Sequence, residues 1–158
     1  MLDDRVGPYA LRLATGPDAP RVSALVDAAY GHYVERIGGL PGPMTLDYAD
    51  VIRNSRVIVA DTQGDVVGVL VLNVTDEGFA IENVAVHPSH QGNGLGSALL
   101  ERAEADARRA GFDSIYLYTH EKMTENLALY ARKGYVEFDR RSQGDFALVY
   151  MRKHLGTG

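Results

Sequence analysis

The sequence predicts a single mixed α/β domain with a largely antiparallel sheet. Three observations carry that prediction. Three β-rich runs follow one another between residues 56 and 87. One long stretch, Gly94 to Ala110, repeats apolar residues at helical spacing. Two further strand-like runs, Tyr135 to Arg140 and Phe146 to Arg152, close the chain as an antiparallel pair. Its 158 residues suit one domain with a sizeable core, covering residues 1–158.

The elements follow in order. Tyr9 to Leu13 reads as a short strand. Thr15-Gly16-Pro17-Asp18 is a turn signal, and Asp18 is placed to cap a helix with Pro20 in its first turn. Val22, Leu25, Val26, Ala29, Tyr33 and Ile37 give that helix one apolar face, and Gly38-Gly39 stops it. Two prolines and a glycine make Leu40 to Met44 a loop. Thr45 is expected to cap a second helix ending near Asn54. Arg56 to Asp61 and Asp65 to Val74 are β-branched runs, and Gln63-Gly64-Asp65 between them is a hairpin signal. Phe79 to His87 is a third strand, ended by Pro88. In the long helix Leu95, Ala98, Leu99, Ala103 and Ala107 face inward, and Glu104 and Arg108 are expected outside as an i,i+4 pair. Ser114 to Thr119 is a strand, and Glu125 to Lys133 a helix stopped by Gly134. The element order is strand, two helices, three strands, helix, strand, helix, two strands.

Composition excludes several function classes. Cysteine is absent, which removes disulfides, thiolate metal sites and a cysteine nucleophile, and fits a cytoplasmic protein. The net charge of −5 weighs against a general nucleic-acid binder and is compatible with cationic amines as substrates. No apolar run approaches the ~18 residues of a membrane span. The start, Met1-Leu2-Asp3-Asp4-Arg5, is acidic and shows no secretion h-region. No His, Asp or Glu spacing suggests a metal site.

The most informative stretch runs from Asn83 to Ser97. A strand enters a loop carrying Gly92, Gly94 and Gly96, and the loop enters a helix. A helix N-terminus offers unpaired N–H groups and about half a positive charge, and glycines let a phosphate come close to the backbone. Such an arrangement suits a pyrophosphate. A Walker loop is excluded, because no lysine follows the glycines. A dinucleotide loop needs G-x-G-x-x-G and an acidic ribose contact, and neither is here.

Gln91-Gly92-Asn93-Gly94-Leu95-Gly96 matches the Q/R-x-x-G-x-G/A signature, and in this the chain resembles the GCN5-related N-acetyltransferase (GNAT) superfamily. Asn83-Val84-Ala85-Val86-His87-Pro88 is similar to that family's fourth strand. Tyr118-Thr119-His120, the run from Thr124 to Tyr130, and Lys133-Gly134-Tyr135 are similar to its fifth strand, following helix and step into strand six. The resemblance implies the GNAT fold: a mixed, mostly antiparallel seven-stranded sheet, splayed between strands four and five, with about four flanking helices. It implies acetyl-CoA as co-substrate, no metal, and acetyl transfer to a primary amine by direct attack in a ternary complex. One departure stands out. Many members carry asparagine seven residues before the tyrosine, where this chain has Met123; Asn126 lies only four before Tyr130.

Carried onto these residues, the resemblance assigns the pantetheine arm to the backbone of Val84, Ala85 and Val86. The pyrophosphate falls to Gln91, Gly92, Asn93, Gly94, Leu95, Gly96 and Ser97, and further cofactor contacts to Asn126 and Tyr130. Glu82 shares a strand face with Val84 and Val86 by two-residue alternation and is the candidate base, acting through water. Tyr130 is the implied general acid for the departing thiolate. His120 is a second candidate base, and His87 and His90 flank the glycine loop. The acceptor side falls to Tyr30, Tyr33, Arg36, Met44 and Tyr48. The acceptor is a small-molecule or peptide amine, and the resemblance leaves homodimerisation open. Two rival readings stand beside the enzyme: a non-catalytic acyl-CoA-binding regulatory domain, and an unrelated nucleotide-binding module.

Overall fold

A computed structural model describes residues 4–156. Met1–Asp3, most of the acidic N-terminal stretch, and Thr157–Gly158 lie outside the described residues. The strands are β1 (Asp4–Val6), β2 (Tyr9–Leu13), β3 (Arg56–Thr62), β4 (Asp65–Thr75), β5 (Gly78–Val86), β6 (Ser114–His120), β7 (Val136–Gln143) and β8 (Phe146–His154). The helices are α1 (Ala19–Tyr30), α2 (Val34–Ile37, a single turn), α3 (Tyr48–Asn54), α4 (Leu95–Arg109) and α5 (Thr124–Arg132). The sheet has eight strands in the order β1-β2-β3-β4-β5-β6-β8-β7. Strand β5 runs parallel to β6, in register at Ala80↔Tyr116 and Ile81↔Leu117. The pairs β1–β2, β2–β3, β3–β4, β6–β8 and β7–β8 are antiparallel. The expected mixed, mostly antiparallel α/β architecture is therefore present.

The count of seven strands falls short by one. Strand β1 was missed because Asp4-Arg5-Val6 is three residues long and carries no apolar alternation. Two helix boundaries also differ. The first helix does not run to Ile37: α1 ends at Tyr30, and a 3-10 turn over Gly31–Tyr33 precedes α2. Gly31 is a weak helix former there, and the Tyr30 hydroxyl is tied to β5, which anchors the helix end. Thr45 does not cap the second helix. Its hydroxyl donates to the Gly42 carbonyl at 2.7 Å, and Asp47 is the cap, accepting from Ala49 and Asp50 N–H groups.

The chain divides into two compact units. One holds residues up to Leu72 together with Asn83–Ala103; the other holds Asn73–Glu82 and the chain from Glu104 onward. In the first unit β3 and β4 carry near-continuous Val, Ile and Leu, buried along most of their length. Gly68 lets α4 approach: a Cβ there would meet Ala60 Cβ at 3.1 Å and Leu95 and Leu99 at 3.3 Å. Asp18 does not cap α1 by its side chain; it pairs with Arg12 and accepts from the Thr15 N–H at 2.8 Å.

In the second unit Ile115, Leu117, Val149 and Met151 are buried. Glu104 was expected outside with Arg108, and the structure corrects this. Its side chain is buried, accepting from Tyr135 Oη at 3.1 Å and pairing with Lys153 Nζ at 3.0 Å. Arg108 instead donates to the Leu155 carbonyl. A buried carboxylate needs such partners, and burial beside it pushes the Tyr135 phenol well above its ordinary range.

Candidate active site

The glycine loop lies in the first unit. Strand β5 ends at Val86, and a 3-10 turn over Pro88–His90 leads to Gln91. Gly92 and Gly94 hold φ of 83° and 91°, a left-handed backbone that side chains other than glycine rarely adopt. Helix α4 then starts at Leu95, and its first ladder bond runs from Ala98 N–H to the Gly94 carbonyl at 3.0 Å. The N–H groups of Leu95, Gly96 and Ser97 therefore precede the helical ladder. Gln91, Gly92, Asn93 and Gly94 are exposed, and Gly96 and Ser97 are half-buried. Asn93 Nδ2 donates to Tyr9 Oη at 2.5 Å, and Tyr9 Oη shares a bond with His90 Nδ1 at 2.9 Å. His87 holds Ser89 through Nδ1. With Arg21, Leu25 and Asp65 the two histidines line an open pocket behind the loop.

The strand beside the loop carries two engaged carbonyls. Val84 O accepts from Tyr30 Oη at 3.1 Å, and Val86 O accepts from Gln91 Nε2 at 3.1 Å. Tyr30 and Tyr48 meet at Asn83. Asn83 is buried; its Oδ1 accepts from Tyr30 Oη at 2.8 Å and its Nδ2 donates to Tyr48 Oη at 3.1 Å. Tyr48 Oη donates in turn to the Pro43 carbonyl at 2.6 Å. Burial pushes the Tyr48 phenol up to about 12, so it stays a neutral donor. Tyr33 is buried, with Arg36 stacked over its ring at 5.0 Å; Arg36 is exposed and Met44 half-buried. An amide within the apolar run of β5 was the one available signal for Asn83.

Glu82 belongs to the second unit. Asn73 Nδ2 donates to its Oε1, and Tyr118 Oη approaches its Oε2 at 3.4 Å. Burial, then the charge of Glu82, pushes the Tyr118 phenol up to about 12. A carboxylate offers about four lone-pair sites, so Glu82 keeps capacity for a water or an amine. Neither Asn73 nor Tyr118 was singled out for this role in the sequence. Asn73 breaks the apolar run of β4 as Asn83 breaks that of β5.

On α5, Tyr130 is buried and its ring packs edge-on to Tyr135 at 6.1 Å. Met123 stands at the helix N-cap and is buried, with no side-chain cap bond. Asn126 Nδ2 and Thr119 Oγ1 both point to the Met123 sulfur, at 3.8 and 3.4 Å. The thioether therefore occupies the place where the resemblance leads one to expect asparagine. His120 ends β6, buried, with its ring stacked on Phe146 at 4.2 Å. Its Nδ1 accepts from the Lys122 N–H at 3.0 Å, and its Nε2 has no partner among the described residues. An orphaned buried group of this kind costs about 1–3 kcal/mol. Among the described residues no group of three His, Asp or Glu side chains could hold a metal ion, and no helix is long and apolar enough to cross a membrane.

A glycine loop that opens onto a helix N-terminus in a mixed sheet defines a class of folds suited to gripping an anion. The comparisons resolve the class. Residues 24–135 match the model of the acetyltransferase (GNAT) family, and the chain belongs to that family. It is 33% identical over 84 residues to an IAA acetyltransferase of Azospirillum brasilense, covering 52% of this chain and 55% of the relative. It is 30% identical over 107 residues to a mycothiol acetyltransferase of Stackebrandtia nassauensis, covering 68% of this chain and 33% of the relative. The chain thus spans about half of the first relative's length and a third of the second's. Among solved structures, PaiA N-acetyltransferase from Thermoplasma acidophilum, in complex with coenzyme A, aligns with a TM-score of 0.78 at 15% identity, covering 92% of this chain and 98% of that one. YncA from Salmonella typhimurium, with its cofactor acetyl-CoA, aligns with a TM-score of 0.69 at 23% identity, covering 94% of each. At these identities the structures speak for the fold.

Proposed function

We propose that this chain transfers an acetyl group from acetyl-CoA to a primary amine in a ternary complex. The amine nitrogen attacks the thioester carbonyl carbon, an N–C bond forms, the C–S bond breaks, and the products are an amide and the free thiol. The observation that carries the proposal is the run of N–H donors from Gly92 to Ser97, set by two left-handed glycines in a chain of the GNAT family. Those donors would grip the pyrophosphate, with the backbone of Val84, Ala85 and Val86 taking the pantetheine arm.

A lysine-like amine is mostly protonated at pH 7, and neutralising it costs about 4.6 kcal/mol. Glu82 is the proposed proton acceptor, through water, with Asn73 and Tyr118 holding its carboxylate in place. Tyr130 is the proposed donor to the departing thiolate, since a phenol and a thiol lie close enough in pKa for useful transfer. Asn126 is proposed to contribute to the cofactor side. Tyr33, Arg36 and Met44 are proposed to border the acceptor, with Tyr30 and Tyr48 setting the strand through Asn83. The protein is proposed to work in the cytoplasm.

Thermal shift with acetyl-CoA beside ATP and NAD is the first test, and stabilisation by acetyl-CoA alone is expected. Stabilisation by a nucleotide instead would refute the proposal. Thiol release over an amine panel then tests turnover. Silence across a broad panel, with acetyl-CoA bound, would favour a non-catalytic binding domain.

A further inference from the structure

The orphaned nitrogen of His120 has an address. Side chains two apart along a strand share a face, so Tyr116, Tyr118 and His120 project together from β6. The antiparallel register sets Leu148 beside His120, Tyr150 beside Tyr118 and Arg152 beside Tyr116. The Tyr118 and Tyr150 rings lie 5.2 Å apart, and Phe146 stacks on His120. Tyr118 in turn reaches the Glu82 carboxylate. One face therefore runs from a carboxylate, past stacked rings, to a buried nitrogen without a partner among the described residues.

The state of that nitrogen follows from its ring. Nδ1 accepts an N–H and so carries a lone pair, and burial lowers the imidazole pKa, which favours the neutral form. In the neutral ring the proton then sits on Nε2, as a donor. Neither the stack on Phe146 nor the Nδ1 bond to the Lys122 N–H uses that proton. A ligand oxygen would satisfy this donor.

We propose that His120 selects the acceptor: a primary amine carrying a neutral carbonyl oxygen, with its nitrogen at Glu82 and its oxygen on His120 Nε2. Tyr118, whose hydroxyl meets the Glu82 carboxylate, stands two residues from His120 on β6, a step of roughly 7 Å, and the proposal takes that step as the spacing between nitrogen and oxygen. An extended five-carbon amino amide meets it. A carboxylate fits less well, because a neutral imidazole offers a hydrogen bond and no charge, and Glu121 follows next in the chain. The inference rests on the acetyltransferase reading above and adds the substrate class.

The test compares 5-aminopentanamide with hexylamine, which keeps length and amine and lacks the carbonyl. Thiol release is measured for the wild type, His120→Phe and His120→Gln, alongside acetyl-CoA affinity and Tm. The wild type is expected to favour the amide about tenfold or more in kcat/KM. His120→Phe should erase that preference while keeping acetyl-CoA affinity, and His120→Gln should restore part of it. In the wild type, the His120 Nε2 resonance should shift on adding 5-aminopentanamide with acetyl-CoA present and stay put with hexylamine, a readout that survives failure of a variant to fold. No preference in the wild type, a preference surviving in a folded His120→Phe, or a proton found on Nδ1 would overturn the inference. So would acetylation of neither probe by a chain that binds acetyl-CoA, which leaves the transferase reading standing. Failure to bind acetyl-CoA would sink that reading and this one together.

Discussion

Replacing Tyr30 by phenylalanine removes one hydroxyl and disturbs two acceptors. Asn83 Oδ1 loses its bond of 2.8 Å, and the Val84 carbonyl loses one of 3.1 Å. Asn83 is 6% exposed and Tyr30 7%, so water does not readily replace the donor at Oδ1. A lost net hydrogen bond costs about 0.5–1.5 kcal/mol, and a buried unsatisfied acceptor about 1–3. The Val84 carbonyl lies on a strand proposed to meet ligand, so its loss is set at the low end. The expected destabilisation is about 2 kcal/mol, or about 4–8 °C in Tm for a domain of this size. Urea denaturation of the wild type, Tyr30→Phe, Asn83→Ala and the double variant measures it. The double-variant cycle should return a coupling of about 1 kcal/mol, because the two residues share one bond. A Tyr30→Phe loss under about 0.5 kcal/mol, or strict additivity, would refute the claim that Asn83 organises this strand.

Asp18, held at about 2 against an ordinary 3.8 by the Arg12 guanidinium, gives a pH signature. Its folded pKa is depressed, so its contribution of about 2 kcal/mol is complete above pH ~4 and is lost as pH falls toward 2. Asp18→Asn should be less stable than the wild type at pH 7 and equally stable near pH 2; a gap that persists at pH 2 in urea titrations counts against the pairing. Gly68→Val should cost about 1–3 kcal/mol in urea, since its branched side chain starts from a Cβ at 3.1 Å from Ala60 and 3.3 Å from Leu95 and Leu99; an unchanged midpoint would mean α4 sits farther off. Gly94→Asp should abolish acetyl-CoA binding by calorimetry, through a φ of 91° and a charge facing the phosphates; normal affinity would remove the loop from the site. Glu82→Gln should lower kcat about a hundredfold or more while acetyl-CoA affinity holds, and Tyr130→Phe should lower kcat by a similar factor, much more than it lowers acetyl-CoA affinity. Unchanged turnover where chemistry limits the rate would remove the residue from catalysis.

Much of the architecture is written in local chemistry. Alternation and turn residues located β2 through β8 to within a few residues, and the spacing of Leu95, Leu99 and Ala103 located α4. What escaped was non-local. Strand β1 is too short to carry a period. The inward turn of Glu104 depends on Lys153 and Tyr135, which lie far along the chain and are brought to it by β8 and the end of α5. The break after Tyr30 depends on Asn83, 53 positions away. The glycine loop and Glu82 stood out because a local pattern carries them. Asn83, Asn73 and Tyr118 did not, because each acts on another residue, and only the folded pairing names the partner.

The peptide joining Glu82 to Asn83 is clamped from both of its side chains. One answers to Asn73 and Tyr118, the next to Tyr30 and Tyr48. Sliding β5 by a single position so that Glu82 takes the place of Asn83 would strand a negative charge among the Tyr30 and Tyr48 phenols in the interior. The four anchoring groups thus work as a pawl against that slip.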